Sequence, residues 1–416
     1  MVIREMKKVG KCIVLLMALC LIQCTTRKEE QGLTVADTFS KGQFGYDLEF
    51  LKKYHDDLVL LSNDDSQLIV LPAYQGRVMT STSSGLAGVS YGWINHELIA
   101  SGQIKDHINV FGGEERFWLG PEGGQFSIYF KEAVPFTFEH WFVPKELDTE
   151  AFTLVDKSSV EATFSKEMNL TNYSGTKFQL KIDRSIRLIG RDSVTKILES
   201  EIPDQVKLVS FESDNRLTNK GTQTWTKKSG MLSIWILSML NASENSVIGI
   251  PYKTGKEESL GKVVTDDYFG KVPSDRLNIK EGIILLKADS KYRSKVGISP
   301  QRALPWICSY DEGQGLLTIA QFSLPSGTND YVNSLWEQQK EPFKGDAVNA
   351  YNDGPLENGD QLGNFYEIES SSPAASLQPG ESLRHVHRTI HLQGSQDDLD
   401  QVLYNAFGIH LNDLSF

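Results

Sequence analysis

The chain has 416 residues, with 42 Lys+Arg against 54 Asp+Glu, a formal net charge of −12, 40% apolar residues and 10% aromatic residues. That apolar share is ample for a packed core and excludes wholesale disorder. The negative balance excludes a nucleic-acid partner, since no basic surplus exists to displace counterions from phosphates.

Residues 1–23 read as an export signal. Arg4, Lys7, Lys8 and Lys11 form a basic leader, followed by an apolar run over 12–22. That run is too short to span a bilayer, which takes about 20 residues. It ends in Leu21-Ile22-Gln23-Cys24, similar to a bacterial lipoprotein signal in which the Cys becomes the lipidated N-terminus after cleavage. Leu21 fits that pattern, whereas Gln23 departs from its usual small residue. An uncleaved signal anchor is the alternative. Cleavage leaves 38 basic and 53 acidic residues, a net charge of −15, and of the four cysteines only Cys24 and Cys308. With Cys24 lipidated, Cys308 is a lone thiol in an apolar run over 304–310 and reads as core filler. The expected product is exported to the bacterial cell envelope and held at the membrane through Cys24.

Residues 24–45 are polar and unpatterned, as a flexible tether should be, and residues 46–416 read as one domain. Short apolar or alternating runs succeed one another between Gly, Asn, Asp and Pro punctuation. Gln67–Leu71, Gln125–Phe130, Phe178–Leu188, Met231–Leu237, Gly282–Lys287, Leu316–Phe322 and Asn364–Glu369 predict strands. Helical signals are few. Asp330 caps a possible short helix over 330–339, and residues 397–407 carry amphipathic spacing. Without regular βα alternation, the pattern predicts an all-β fold, a large antiparallel β-sandwich with minor helices.

Three segments concentrate chemistry. Residues 107–124 combine His107, Arg116, Trp118, Glu114, Glu115 and Glu122 with a run of glycines. Glycines let a backbone approach a ligand closely, and Trp with charged groups offers a sugar a stacking face and hydroxyl partners. A tight strand-turn-strand with Arg116 paired to a carboxylate explains the same residues equally well. No phosphate-loop lysine follows. Over 365–391, Glu367 and Glu369 share one strand face, as do His385, His387, Thr389 and His391. Paired carboxylates can divide into general acid and base. The histidines fit a metal, a ligand contact, or a solvated or hydrogen-bonded stripe on an outer strand. The third segment, 348–356, holds the turn Asp353-Gly354-Pro355; its flanking Asn349, Tyr351 and Asn352 either face a cleft or simply frame the turn.

Together these segments resemble the galactose mutarotase-like (aldose 1-epimerase) superfamily, and more closely a bacterial lipoprotein branch of it defined by a domain of unknown function. The resemblance spans about residues 46–416. Leu71-Pro-Ala-Tyr-Gln-Gly-Arg-Val-Met79 is similar to its opening strand and Gly-x-Arg-Val turn, and residues 112–123 to its Gly-Gly-x-Arg-x-Trp…Pro-Glu-Gly segment. Tyr366-Glu367-Ile-Glu369, Pro373, Leu377-Gln-Pro-Gly-Glu381 and His385 match its C-terminal strand, turn and final strand. It implies a mutarotase-type sandwich with a sugar cleft, no cofactor and no metal. Glu367 matches the catalytic base, with Glu369 one pleat away. Arg77, Arg116, Trp118, Glu122, Glu369 and His385 would bind substrate. The family's histidines are missing from their places: Phe111 stands before the Gly-Gly pair, His107 lies four residues earlier, and 230–238 holds no His. The expectation is therefore a carbohydrate-binding cleft without standard mutarotase turnover. One alternative is an epimerase or other sugar-modifying enzyme using Glu367, with His107 or Arg116 as the acid. The other is a structural envelope protein with a vestigial cleft.

Overall fold

The computed structural model describes residues 38–416; the export signal, Cys24 and most of the expected tether lie outside the described residues. The folded unit begins at Phe39, before the expected boundary, because the helix Phe44–Tyr54 carries Phe44, Leu48 and Leu51 into the core.

Strand alternation builds the molecule. In Lys177–Leu188, Phe178, Leu180, Ile182, Ile186 and Leu188 point inward, while Lys177, Gln179, Lys181 and Arg187 point outward. Each buried apolar side chain of this size contributes about 1.5–3 kcal/mol, which fixes the register, since a one-residue slip would invert the whole set. This strand lies in a ten-stranded sheet ordered Leu277–Lys280, Ile283–Lys287, Ser246–Pro251, Trp306–Asp311, Leu316–Phe322, Ser382–Gln393, Lys207–Asn219, Lys177–Leu188, Glu161–Thr171, Thr153–Lys157, with every neighbouring pair antiparallel.

A smaller sheet packs on it, ordered Ser294–Ile298, Val348–Asn352, Phe365–Ser371, Ser233–Leu237, Arg116–Gly120, with Leu240–Asn241 also paired to Phe365–Ser371. Phe117 and Ile236 meet Ile182 and Phe211 at one end of the interface; Val296, Ala350 and Ile368 meet Ile250, Ile284 and Ile307 at the other. The fold is thus a large antiparallel β-sandwich. A three-stranded sheet (Val59–Asn63, Ser66–Leu71, Arg77–Thr82) joins the small sheet through a bridge between Val78 and Glu115. On the outer face of the large sheet, the helix Gln396–Phe407 lays Leu399, Val402 and Leu403 over Leu317, Ile319 and Leu392. Ser395 caps its start and left-handed Gly408 its end. Cys308 is fully buried there, and burial pushes its thiol up to about 12.

Two predicted elements differ. Residues 330–339 form no helix. Asp330 and Tyr331 are drawn into pairings with Ala374 and Lys344, and Gln339 Nε2 donates to the Asn333 and Leu335 carbonyls, folding the segment back in an irregular loop. Residues 125–130 alternate like a strand but find no strand partner: Phe130 makes a single bridge to Trp141, and the rest is turn.

Candidate functional site

The two faces of the small sheet have opposite character. Phe117, Ile234, Ile236, Val296, Ala350 and Ile368 face the large sheet. The register places Lys295 beside Tyr351, Tyr351 beside Glu367, Asn349 beside Glu369, Glu369 beside Leu237, Leu237 beside Arg116, and Trp235 beside Trp118 on the other face. Four charged side chains therefore share a nearly dry surface. Arg116 Nη2 donates to Glu367 Oε1 at 2.5 Å and lies over the Trp118 ring. Glu369 Oε2 accepts from Trp235 Nε1 at 2.9 Å and Lys295 Nζ at 3.0 Å.

Burial raises the Glu367 carboxyl to about 7; Glu369 adds to the rise, while Arg116 and Lys295 oppose it. Burial works against the charge on Lys295, but Glu369, Glu122 and Glu367 outweigh it and hold the ammonium above its ordinary pKa. The Glu122 carboxyl is raised by burial despite Lys295.

Above this surface opens a cavity of about 540 Å³. Its walls include the aromatic Phe138, Trp141, Trp336 and Phe269, and its charged groups are Glu122, Lys295, Arg293 and Asp353. Trp336 and Trp141 stack 5.7 Å apart. A smaller polar recess of about 20 Å³, lined by Glu122, Lys295, Tyr268, Asp346 and Asn349 among others, adjoins the floor. There the Tyr268 hydroxyl donates to Asp346 at 2.6 Å, and burial pushes that carboxyl up to about 6.

The glycines of 112–124 serve this architecture differently from the expectation. A Cβ on Gly123 would sit 2.4 Å from the Leu335 carbonyl oxygen, and one on left-handed Gly112 would sit 2.2 Å from that of Trp93. These glycines admit the protein's own backbone rather than a ligand. Gly123 in particular lets the segment bearing Trp336 close over the sheet.

Of the predicted site residues, Glu122 lines the cavity. Glu367, Glu369, Arg116 and Trp118 lie on the same sheet face but outside the cavity lining, each under 9% exposed. The others are elsewhere. His107 bonds the Trp141 carbonyl at 2.6 Å and stacks on Phe142, behind the aromatic wall, so it faces away from Glu367's partners. Arg77 is buried, donating to the Gly112 carbonyl and Gln75. His385 lies between the sheets, sharing the Ser370 hydroxyl with His387, and burial lowers both imidazoles to about 3. His391 is also interior, bonded to Glu114 and Thr318. The histidine stripe therefore faces the core and not solvent, because its strand is central in the large sheet. Among the described residues, no group of three or more His, Cys, Asp or Glu is placed to hold a metal.

Sequence reasoning missed Arg293, Lys295, Tyr268, Trp235 and Trp336. Arg293 and Lys295, two apart ahead of an apolar strand, carried a faint signal of a shared face. Of the residues flanking the 353–355 turn, Asn349 lines the recess, whereas Asn352 is buried and bonds the Tyr292 carbonyl; Asp353, read only as part of the turn, lines the cavity.

The structure is similar to an aldose 1-epimerase candidate from Escherichia coli K12, at 12% identity over 81% of this chain and 99% of that one, with a TM-score of 0.48. It is similar to a galactose mutarotase-like protein from Lactobacillus casei ATCC 334 (9% identity, 81% and 100% covered, TM-score 0.45). A galactose mutarotase related enzyme from Lactobacillus acidophilus is a third (11% identity, 82% and 98% covered, TM-score 0.44). No curated protein matches the sequence. A family model covers residues 42–416, and the chain belongs to that family, DUF6786, a family of unknown function.

Proposed function

We propose that the cavity on the small sheet binds a carbohydrate. The observation that carries this reading is the pairing of stacked aromatic walls with a few convergent charged groups in one 540 Å³ cavity. Aromatic faces pack the C–H face of a pyranose, and carboxylates, ammonium and guanidinium bond its hydroxyls. The volume suits one or two sugar rings. Titrating the full chain with a panel of mono- and oligosaccharides, read by tryptophan fluorescence, tests it. Trp336→Ala should weaken any binding by about tenfold, the loss of one aromatic stacking contact. A panel without a single binder sinks the reading.

Turnover has one observation in its favour, the Glu367 carboxyl held near neutral pH, where a general base works best. Against it, Arg116 occupies one carboxylate oxygen, and neither His107 nor His385 reaches the cavity. Binding without standard mutarotase turnover is the stronger reading. Anomeric interconversion that is lost in Glu367→Gln would reverse this order.

Export and lipidation at Cys24 are part of the proposal and rest on the N-terminal sequence pattern. Membrane fractionation and labelling with a fatty-acid analogue, comparing the wild type with Cys24→Ser, provide the check; equal labelling of both would reject it.

A further inference from the structure

The cations of the small-sheet surface are nearly all spoken for: Arg116 is paired to Glu367 and Lys295 to Glu369. Arg293 differs. It lines the cavity just before the strand Ser294–Ile298, and its guanidinium lies flat over the Phe269 ring, 3.9 Å from the centroid. Its Nε donates to the Tyr351 hydroxyl at 3.3 Å, and that hydroxyl donates to Asp353 Oδ1 at 2.6 Å. Among the described residues its two terminal nitrogens have no hydrogen-bond or ion-pair partner. The turn at Gly354 packs directly on the Tyr292–Arg293 backbone, where a Cβ would lie 2.4 Å from the Arg293 nitrogen. One side of the fork is thus clamped by a ring, a hydroxyl and a turn, and the other is presented to the cavity.

A planar guanidinium held in this way matches a carboxylate bidentately, and a compact, strongly hydrated ammonium would not. The nearby carboxyls do not fill that role. Asp353 is committed to Tyr351 and to the Gly363 amide, and among the described residues neither it nor Glu122 pairs with Arg293.

Building on the carbohydrate reading, we infer that the ligand is an acidic sugar whose carboxylate docks on Arg293, such as a uronic-acid residue of a glycan, while an adjacent ring stacks on Trp336. The net negative charge of the chain does not oppose this, because recognition is set by the local fork and long-range repulsion is screened beyond about 8 Å at physiological salt.

The test is a binding titration of the full chain with uronate oligosaccharides, the same oligosaccharides with the carboxyl reduced to hydroxymethyl, and sulfated neutral oligosaccharides. The uronate should bind at least about tenfold more tightly than its reduced form, the equivalent of one charge-assisted bond. Arg293→Met should abolish that preference, and Arg293→Lys should restore it only partly. Equal or better binding of the reduced form overturns the acidic-sugar inference while the carbohydrate reading stands. Preference for the sulfated glycans overturns the carboxylate assignment. Failure of every sugar to bind removes both. The wild-type comparison decides the matter even where a variant does not fold.

Discussion

Two clusters of buried charge lie a few strands apart. In the first, at the junction of the sheets, Arg184 Nη2 meets Glu115 Oε1 at 2.8 Å, its Nη1 meets Asn215, and its Nε meets the Gly76 carbonyl. Both partners are fully buried, and burial lowers the guanidinium while raising the carboxyl. In the second, Arg116–Glu367 and Lys295–Glu369 are almost as dry, yet they border a cavity whose rim carries the unpaired Arg293 fork. Each cluster is built on a buried Arg–Glu pair. The difference is closure: the Arg184 fork ends on protein groups throughout, and the cleft cluster leaves donors facing open space. The first holds the structure together; the second has capacity left for a ligand.

Breaking the closed cluster should cost the most. Arg184→Met strands Glu115 in the core and should lower stability by about 3–5 kcal/mol in denaturant unfolding. Adding Glu115→Gln should recover much of that loss, because no uncompensated charge is then left. A single variant within about 1 kcal/mol of the wild type would mean that the cluster is not dry.

The cleft cluster should reveal itself by its pH dependence. Glu367 titrates from its ordinary value of 4.5 in the unfolded chain to about 7 in the fold. A raised carboxyl binds its proton more tightly in the folded state, so the stability that Glu367 contributes should be greatest below 4.5 and fall as pH rises to about 7. The amplitude should be on the order of 3 kcal/mol. Glu367→Gln should lessen the slope across this window, leaving the part that Asp346, raised to about 6, contributes; an unchanged slope would show that the titrating group lies elsewhere.

The wall of the cavity offers a smaller perturbation. Gly354→Ala brings a Cβ within 2.4 Å of the Arg293 nitrogen, against backbone that cannot swing away. Thermal unfolding should report a loss of about 1–2 kcal/mol, typical of overpacking. Uronate binding should weaken with it. Weakened stability with intact binding would separate the turn from the orientation of Arg293.

The sandwich was legible because alternation repeats within each strand, as in Lys177–Leu188, and needs no knowledge of the partner strand. Residues 330–339 misled for the complementary reason: Asp330 and the following apolar spacing favour a helix locally, and distant partners (Ala374, Lys344, Gln125) override it. The site shows the same division. Glu367, Glu369, Arg116 and Glu122 could be picked out by type, but Lys295 enters only through the register Lys295–Tyr351–Glu367 across three strands. Nor does any local feature distinguish Arg116, which is paired, from Arg293, which is not. His385 and His387 alternate as an outer strand would, and only the order of the large sheet puts them inside.

A third ion pair isolates what burial contributes. Arg384 grips Asp214 in bidentate fashion, with Nε and Nη2 each 2.8 Å from a carboxylate oxygen, better geometry than the single contact of Arg184 with Glu115. It sits on the solvent side of the large sheet, with the Arg384 side chain 55% exposed. Water screens the attraction and the long side chain gives up entropy to hold it, so Arg384→Ala should cost less than about 1 kcal/mol. That cost should shrink further in high salt, while the Arg184→Met loss should persist. If the two variants cost the same, geometry rather than closure would govern both, and the distinction between the sealed cluster and the open one would lose its physical basis.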